Sequence, residues 1–145
     1  MTRYYRTRRA GAGDATQVEE LIQEWLGPPP SRSRRESIAL AIESEEVLLA
    51  VAPSGTVGFV HFVVHNDVID GAPNAFVTAL YVRAAHRRRG IGSSLIQEVM
   101  REARRRGAVS VETSTTHAEA KRFYEGLGFG QASGDIGEVF LELGL

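Results

Sequence analysis

Residues Asn74 to Gly107 carry the pattern that most restricts the fold. An apolar run from Asn74 to Val82 reads as a buried strand that stops at Arg83. An arginine-rich segment follows and ends in Arg87-Arg88-Arg89-Gly90-Ile91-Gly92-Ser93. A helix then opens after Gly92, with Ile91, Leu95, Ile96, Val99, Met100 and Ala103 on one face, and Gly107 closes it. The first N–H groups of a helix have no intrahelical acceptor and together carry about half a positive charge. Glycines let an anion approach those groups closely, and three arginines add charge beside them. The segment is therefore suited to a phosphate or pyrophosphate.

Two common phosphate loops do not fit. A dinucleotide-binding fingerprint needs a third glycine where Leu95 stands. A nucleotide-triphosphate loop needs Gly-Lys-Ser/Thr, and the only lysine is Lys121. Sixteen of the seventeen basic residues are Arg, whose planar donors suit phosphates, although a composition bias accounts for the count equally well. With a net charge of -1 and no nucleic-acid motif, the chain is not expected to bind nucleic acid. No cysteine is present, so disulfides, thiolate metal sites and a cysteine nucleophile are excluded. His61, His65, His86 and His117 show no ligand spacing, and no metal is expected. No run approaches the ~20 apolar residues of a membrane span, and a cytoplasmic protein is the expectation.

The remaining periodicities fill in the fold. Thr2 to Arg9 reads as a strand, and Asp14 with Gln17 as the N-cap pair of a helix carrying Val18, Leu21, Ile22 and Trp25. Gly27-Pro28-Pro29-Pro30 ends that helix. Ser31 or Ser33 is expected to cap a second helix with Ile38, Ala41 and Ile42. Val47 to Ala52 and Val57 to His65 read as a hairpin, with a turn from Asn66 to Pro73 beyond it. Val109, Val111 and Thr113 alternate as a strand. Thr116 and Glu119 have capping-box spacing, which places a helix start at His117, with Ala120, Phe123, Tyr124 and Leu127 facing inward and Gly128 as C-cap. Short strands near Phe129 to Ala132 and Glu138 to Leu143 complete the order β-α-α-β-β-β-α-β-α-β-β. That order predicts a single α/β (α+β) domain over 1–145, with a mixed sheet of six to seven strands covered by helices on both faces.

Two motifs in this order carry a resemblance. Leu80-Tyr81-Val82 followed by Arg87-x-x-Gly90-x-Gly92 resembles the acetyl-CoA signature of the GNAT family of N-acetyltransferases. Ala120-x-x-Phe123-Tyr124-x-x-x-Gly128-Phe129 is similar to the family's later motif. The resemblance implies a GNAT-like, mostly antiparallel sheet and transfer of an acetyl group from acetyl-CoA to an amine. It implies that the Leu80-Tyr81-Val82 backbone pairs with the pantetheine arm. It also implies that the segment from Arg87 and Arg88 through Arg89, Gly90, Ile91, Gly92 and Ser93 holds the pyrophosphate. Tyr124 matches the family's general acid, with Phe123 beside it in the core. His117 stands where the family commonly has an Asn that contacts the coenzyme. Family members often dimerise, so a homodimer is a further expectation. A non-catalytic acyl-CoA sensor on the same fold is the competing reading.

The chemistry sets what else is needed. An alkylamine of pKa ~10.4 is only about 0.04% neutral at pH 7, a cost of about 4.6 kcal/mol. The thiolate leaves far more easily, so the amine side is the harder problem. Where the family often places a carboxylate, the strand before the phosphate loop offers Thr78. Glu112 and His65 are then the first choices for a base, working through water, ahead of His61, Asp67 and Asp70. The acceptor is expected among Gly27 to Arg35, Asn66 to Pro73 and the C-terminal strands. Arg32, Arg34 and Arg35 suit an acidic acceptor, whereas Asp67 and Asp70 suit a polyamine.

Overall fold

The structure, a computed structural model, describes residues 4–29, 33–69, 71–133 and 139–145. The strands are β1 (Arg6–Arg9), β2 (Val47–Ala52), β3 (Gly55–Asp67), β4 (Ala72–Val82), β5 (Ser110–Thr115), β6 (Gly130–Ser133) and β7 (Val139–Gly144). The helices are α1 (Ala15–Leu26), α2 (Arg34–Glu43), α3 (Ile91–Arg105) and α4 (Ala118–Gly126). The expected element order is found, with 3-10 turns added at Ala12–Asp14 and Ala84–His86. The strands hydrogen-bond in the order β1-β2-β3-β4-β5-β7-β6. β1 with β2, β2 with β3, β5 with β7 and β6 with β7 are antiparallel, and β4 with β5 is parallel. The sheet is therefore mixed and mostly antiparallel.

Contacts divide the chain into two compact units, and β3, β4 and α3 each contribute to both. The first unit comprises 1–61 and 79–98. Here Val18 and Leu21 of α1 and Ile38 and Ile42 of α2 pack with Val47, Leu49, Phe59 and Tyr81. The alternate residues Leu48, Ala50 and Val60 are equally buried, so this part of the sheet is covered on both faces. The second unit comprises 62–78 and 99–145, with Phe62, Val77, Val99, Val111, Tyr124, Phe129 and Leu141 buried.

Several local expectations change. The first strand begins at Arg6, because Tyr4 and Tyr5 turn their rings to other partners described below. Asp14 stands at the N-cap of α1 without capping it; its carboxylate takes two hydrogen bonds from Arg8, at 2.7 and 2.9 Å, and one from the Gly11 N–H at 2.7 Å. Arg8, aided by that N–H, holds the Asp14 carboxyl below its usual range against the opposing effect of burial. Ser33 precedes α2 with no side-chain cap bond, and Ser31 lies outside the described residues. α4 is capped at His117 rather than Thr116, and the His117 N–H donates to the Thr115 hydroxyl at 3.0 Å. The C-terminus of α4 is as expected: Gly128 sits at φ +98°, with Gly128 N–H on Glu125 O and Phe129 N–H on Tyr124 O. Gly107 ends α3 in the same way.

Candidate active site

The junction of β4 and α3 lies in the first unit. The ladder of β4 with β5 covers Ala75 to Val77 against Val111 to Thr113, so Thr78 to Val82 run on beyond it. At Gly58 on β3 a Cβ would stand 3.0 Å from the Tyr81 carbonyl and 3.3 Å from the Val82 side chain, so any side chain there would require β4 to give by a few tenths of an ångström. Leu80 and Val82 are half-buried and Tyr81 is buried. The Arg87 guanidinium lies over the Tyr81 ring, 5.5 Å from its centre, and its Nε donates to the Val82 carbonyl at 2.8 Å.

The loop then takes two left-handed residues, Arg88 at φ +63° and Gly90 at φ +82°. α3 begins at Ile91, earlier than the sequence pattern suggests, so Gly92 lies inside its first turn. The Gly90 carbonyl accepts the Ser94 N–H at 2.9 Å, which makes Gly90 the residue before the helix. Arg87, Arg88, Arg89 and Gly90 are exposed, Ile91 is buried, and Gly92 and Ser93 are half-buried. This arrangement presents helix N–H groups and arginines at one exposed turn, the expected form of an anion site.

Three neighbours of this junction escape sequence reasoning. The Tyr5 hydroxyl donates to the Gly90 carbonyl at 3.2 Å and shares a 2.7 Å hydrogen bond with the Ser94 hydroxyl. Glu24 accepts from the Tyr81 hydroxyl at 2.6 Å, and burial followed by Glu24 raises that phenol above its ordinary range. Trp25 stacks on Tyr81 at 5.4 Å and keeps 41% of its surface exposed, so it is not the core residue its helical spacing suggests. Partners 57 to 89 residues apart leave no local signal in the sequence.

The remaining expected site residues belong to the second unit. Tyr124 is buried, with the rings of Phe123 and Phe129 meeting it at 5.0 and 5.2 Å in edge-on geometry. Phe123 is only half-buried, so Tyr124 is the more deeply packed of the pair. Burial pushes the Tyr124 phenol up, and the Thr113 side chain opposes that shift. Thr113 has one hydroxyl proton, however, and donates it to the Val77 carbonyl at 3.1 Å, so it offers Tyr124 only a lone pair and burial prevails. The phenol therefore stays protonated at neutral pH, as a hydrogen-bond donor must.

Glu112 is half-buried in β5, in register with Phe76 on β4 and Glu142 on β7. His65 is exposed near the end of β3 and His117 is exposed at the start of α4. In the first unit, burial holds the His61 imidazole below its ordinary range, with Glu46 opposing. The conflicting acceptor cues are largely consumed by local structure. Arg34 donates to the Gly27 carbonyl at 3.0 Å, and Arg35 bonds Thr16 at 2.6 Å and pairs with Glu19 at 3.2 Å. Asp67 accepts from the Ile69 N–H at 2.8 Å within its own turn. Arg32 and Asp70 lie outside the described residues. Arg106 is half-buried over the Phe62 ring at 5.4 Å. Among the described residues, no group of His, Asp and Glu could hold a metal ion, and no helix is long and apolar enough to cross a membrane.

The fold is shared with solved acetyltransferases. An agmatine N-acetyltransferase in an apo mutant form has a TM-score of 0.84 at 15% identity, covering 99% of this chain and 100% of that one. The NatC complex bound to Gag peptide and CoA gives 0.82 at 17% identity, covering 99% of each chain. The PaiA N-acetyltransferase of Thermoplasma acidophilum, in complex with coenzyme A, gives 0.79 at 16% identity, covering 97% and 99%. No curated protein matches the chain. The model of the acetyltransferase (GNAT) family matches residues 15–129, which span both motifs, and the chain therefore belongs to that family of acyltransferases, whose acyl donor is acetyl-CoA.

Proposed function

We propose that the chain is an N-acetyltransferase that moves the acetyl group from acetyl-CoA directly to a primary amine. The observation that carries this reading is the β4–α3 junction. There a strand runs on past its ladder and leads through two left-handed residues into the open N-terminus of α3. A strand continuing beyond its partner suits an extended pantetheine arm, which adds to it as a further strand would. The exposed turn from Arg87 to Ser93 suits the pyrophosphate.

In the reaction, the neutral amine nitrogen attacks the thioester carbonyl. The new C–N bond forms as the C–S bond breaks, the amine's surplus proton passes to a base, and the sulfur leaves as a thiolate that takes its proton from water. Tyr124 supplies the hydrogen bond to the departing sulfur. Its buried, protonated phenol fits a donor, because a phenol of pKa ~10 is a weaker acid than the thiol of pKa ~8.5 that it helps to form. Glu112 and His65 stand as the two candidate bases, each acting through water. The fold neighbours include an agmatine acetyltransferase and a complex with a peptide, so the amine is the chemistry they have in common, and the acceptor here is a small-molecule or peptide amine.

Calorimetric titration with acetyl-CoA followed by an amine panel, read by thiol release, tests the proposal. Saturable binding and amine-dependent release are expected. No heat at high acetyl-CoA concentration refutes the donor assignment, and binding without turnover on any amine refutes the enzyme in favour of a sensor.

A further inference from the structure

The Tyr4-Tyr5 pair lies more than eighty residues away in sequence from the phosphate loop, yet it engages that loop through four contacts. The Tyr5 hydroxyl donates to the Gly90 carbonyl at 3.2 Å and shares a 2.7 Å hydrogen bond with the Ser94 hydroxyl. One phenolic oxygen thus ties together the main chain before α3 and a side chain of its first turn. Tyr5 and Ser94 are both buried, so water does not readily replace these bonds. Tyr4 meets the Tyr5 ring edge-on at 5.3 Å, stacks on His86 at 6.0 Å, and lies under the Arg89 guanidinium, 5.1 Å from its centre.

The loop needs such support. Arg88 at φ +63° is a non-glycine residue in the left-handed region, and Gly90 follows at φ +82°. Backbone of this kind persists where the surroundings hold it in place. The direction of the α3 N–H groups depends on the Gly90 conformation, and Tyr5 bonds to the Gly90 carbonyl itself.

We infer that Tyr5, acting with Ser94, is a positioning residue that holds the first turn of α3 in the conformation that receives the coenzyme pyrophosphate. Its role is specific to the phosphate end of the donor, and it rests on the donor reading proposed above. Tyr5→Phe keeps the ring and its contact with Tyr4 while removing the oxygen. KM for acetyl-CoA should rise about fivefold to tenfold, the scale of a lost buried hydrogen bond, with kcat little changed.

The test compares acetyl-CoA with acetyl-pantetheine, which carries the same thioester and arm without the pyrophosphate. In the parent protein acetyl-CoA should be the better donor by kcat/KM. Tyr5→Phe should erode that preference and leave kcat/KM for acetyl-pantetheine unchanged, and Ser94→Ala should do the same. Equal losses with both donors, or no change with either, overturn the inference and leave Tyr5 a packing residue. A parent protein that uses both donors equally refutes the pyrophosphate assignment itself, and the role of Tyr5 falls with it.

Discussion

Replacing Tyr124 by Phe removes one oxygen and leaves in place the ring that meets Phe123 and Phe129 at 5.0 and 5.2 Å. The substitution therefore separates the residue's packing from its chemistry. Full proton transfer from the phenol to the departing sulfur is uphill by about 2 kcal/mol from ordinary pKa values, and burial increases that cost. The larger contribution is a hydrogen bond to developing negative charge, about 1.5–3 kcal/mol. At about 1.36 kcal/mol per tenfold, kcat should fall roughly 10- to 150-fold, with KM for acetyl-CoA little changed. Because the ring and its edge-on contacts remain, Tm should change by no more than a few degrees, at about 2–4 °C per kcal/mol. Tyr124→Ala, which empties the buried site, should cost about 3–5 kcal/mol and lose activity through unfolding. Thiol release at saturating amine gives kcat, and thermal unfolding of the same samples gives Tm. A Phe variant with kcat within threefold of the parent refutes the role and returns Tyr124 to the core alone.

Three further outcomes follow from the geometry. Gly90→Ala places a Cβ at φ +82°, a left-handed conformation costing about 1–2 kcal/mol, although its nearest neighbour is Tyr5 Oη at an ordinary 3.8 Å. Acetyl-CoA affinity by calorimetry should therefore drop about tenfold, and an unchanged affinity contradicts the strain argument. Gly58→Ala drives a Cβ to 3.0 Å from the Tyr81 carbonyl, backbone that yields poorly, and should lower stability by about 1–3 kcal/mol in urea denaturation; a neutral result means that β4 can move. His61 is held below its ordinary range by burial, so it contributes full stability above the unfolded value of about 6.5, and that contribution is lost as pH falls through the lower folded value. Urea midpoints should decline below pH 6.5 more steeply in the parent than in His61→Gln, and parallel curves refute the assignment.

The strand and helix order was legible from continuous apolar runs such as Val47–Ala52 of β2, buried at nearly every position, and from the 3.6-residue period of Ile91–Arg105 in α3. Caps were less legible, because several side chains can satisfy the same N–H. Asp14 has capping identity, yet Arg8 and Gly11 claim its carboxylate. The left-handed turn before α3 could be read from Gly90, which sits at φ +82°, whereas Arg88 at φ +63° carries no such signal. Tyr5, Ser94, Glu24 and the Tyr81 hydroxyl could not, because their bonds join distant segments and nothing in the neighbouring sequence marks them. The partners of the charged residues in the acceptor segments were equally hidden. Arg34, Arg35 and Asp67 look available as a list of residues, but each has a hydrogen-bond partner within the fold.

The Arg87 Nε bond to the Val82 carbonyl has a consequence for donor choice. On the proposed reading, the arm of the donor enters by exchange: its amide takes over a carbonyl that Arg87 relinquishes. One hydrogen bond replaces another, so the arm adds little net affinity, while the released guanidinium becomes available to the incoming phosphates. Short thioesters without phosphate would have to break the same bond and would gain no cation in return. On that reading Arg87 acts as an internal competitor for the Val82 carbonyl, one that a donor with phosphates displaces more readily than a thioester without them.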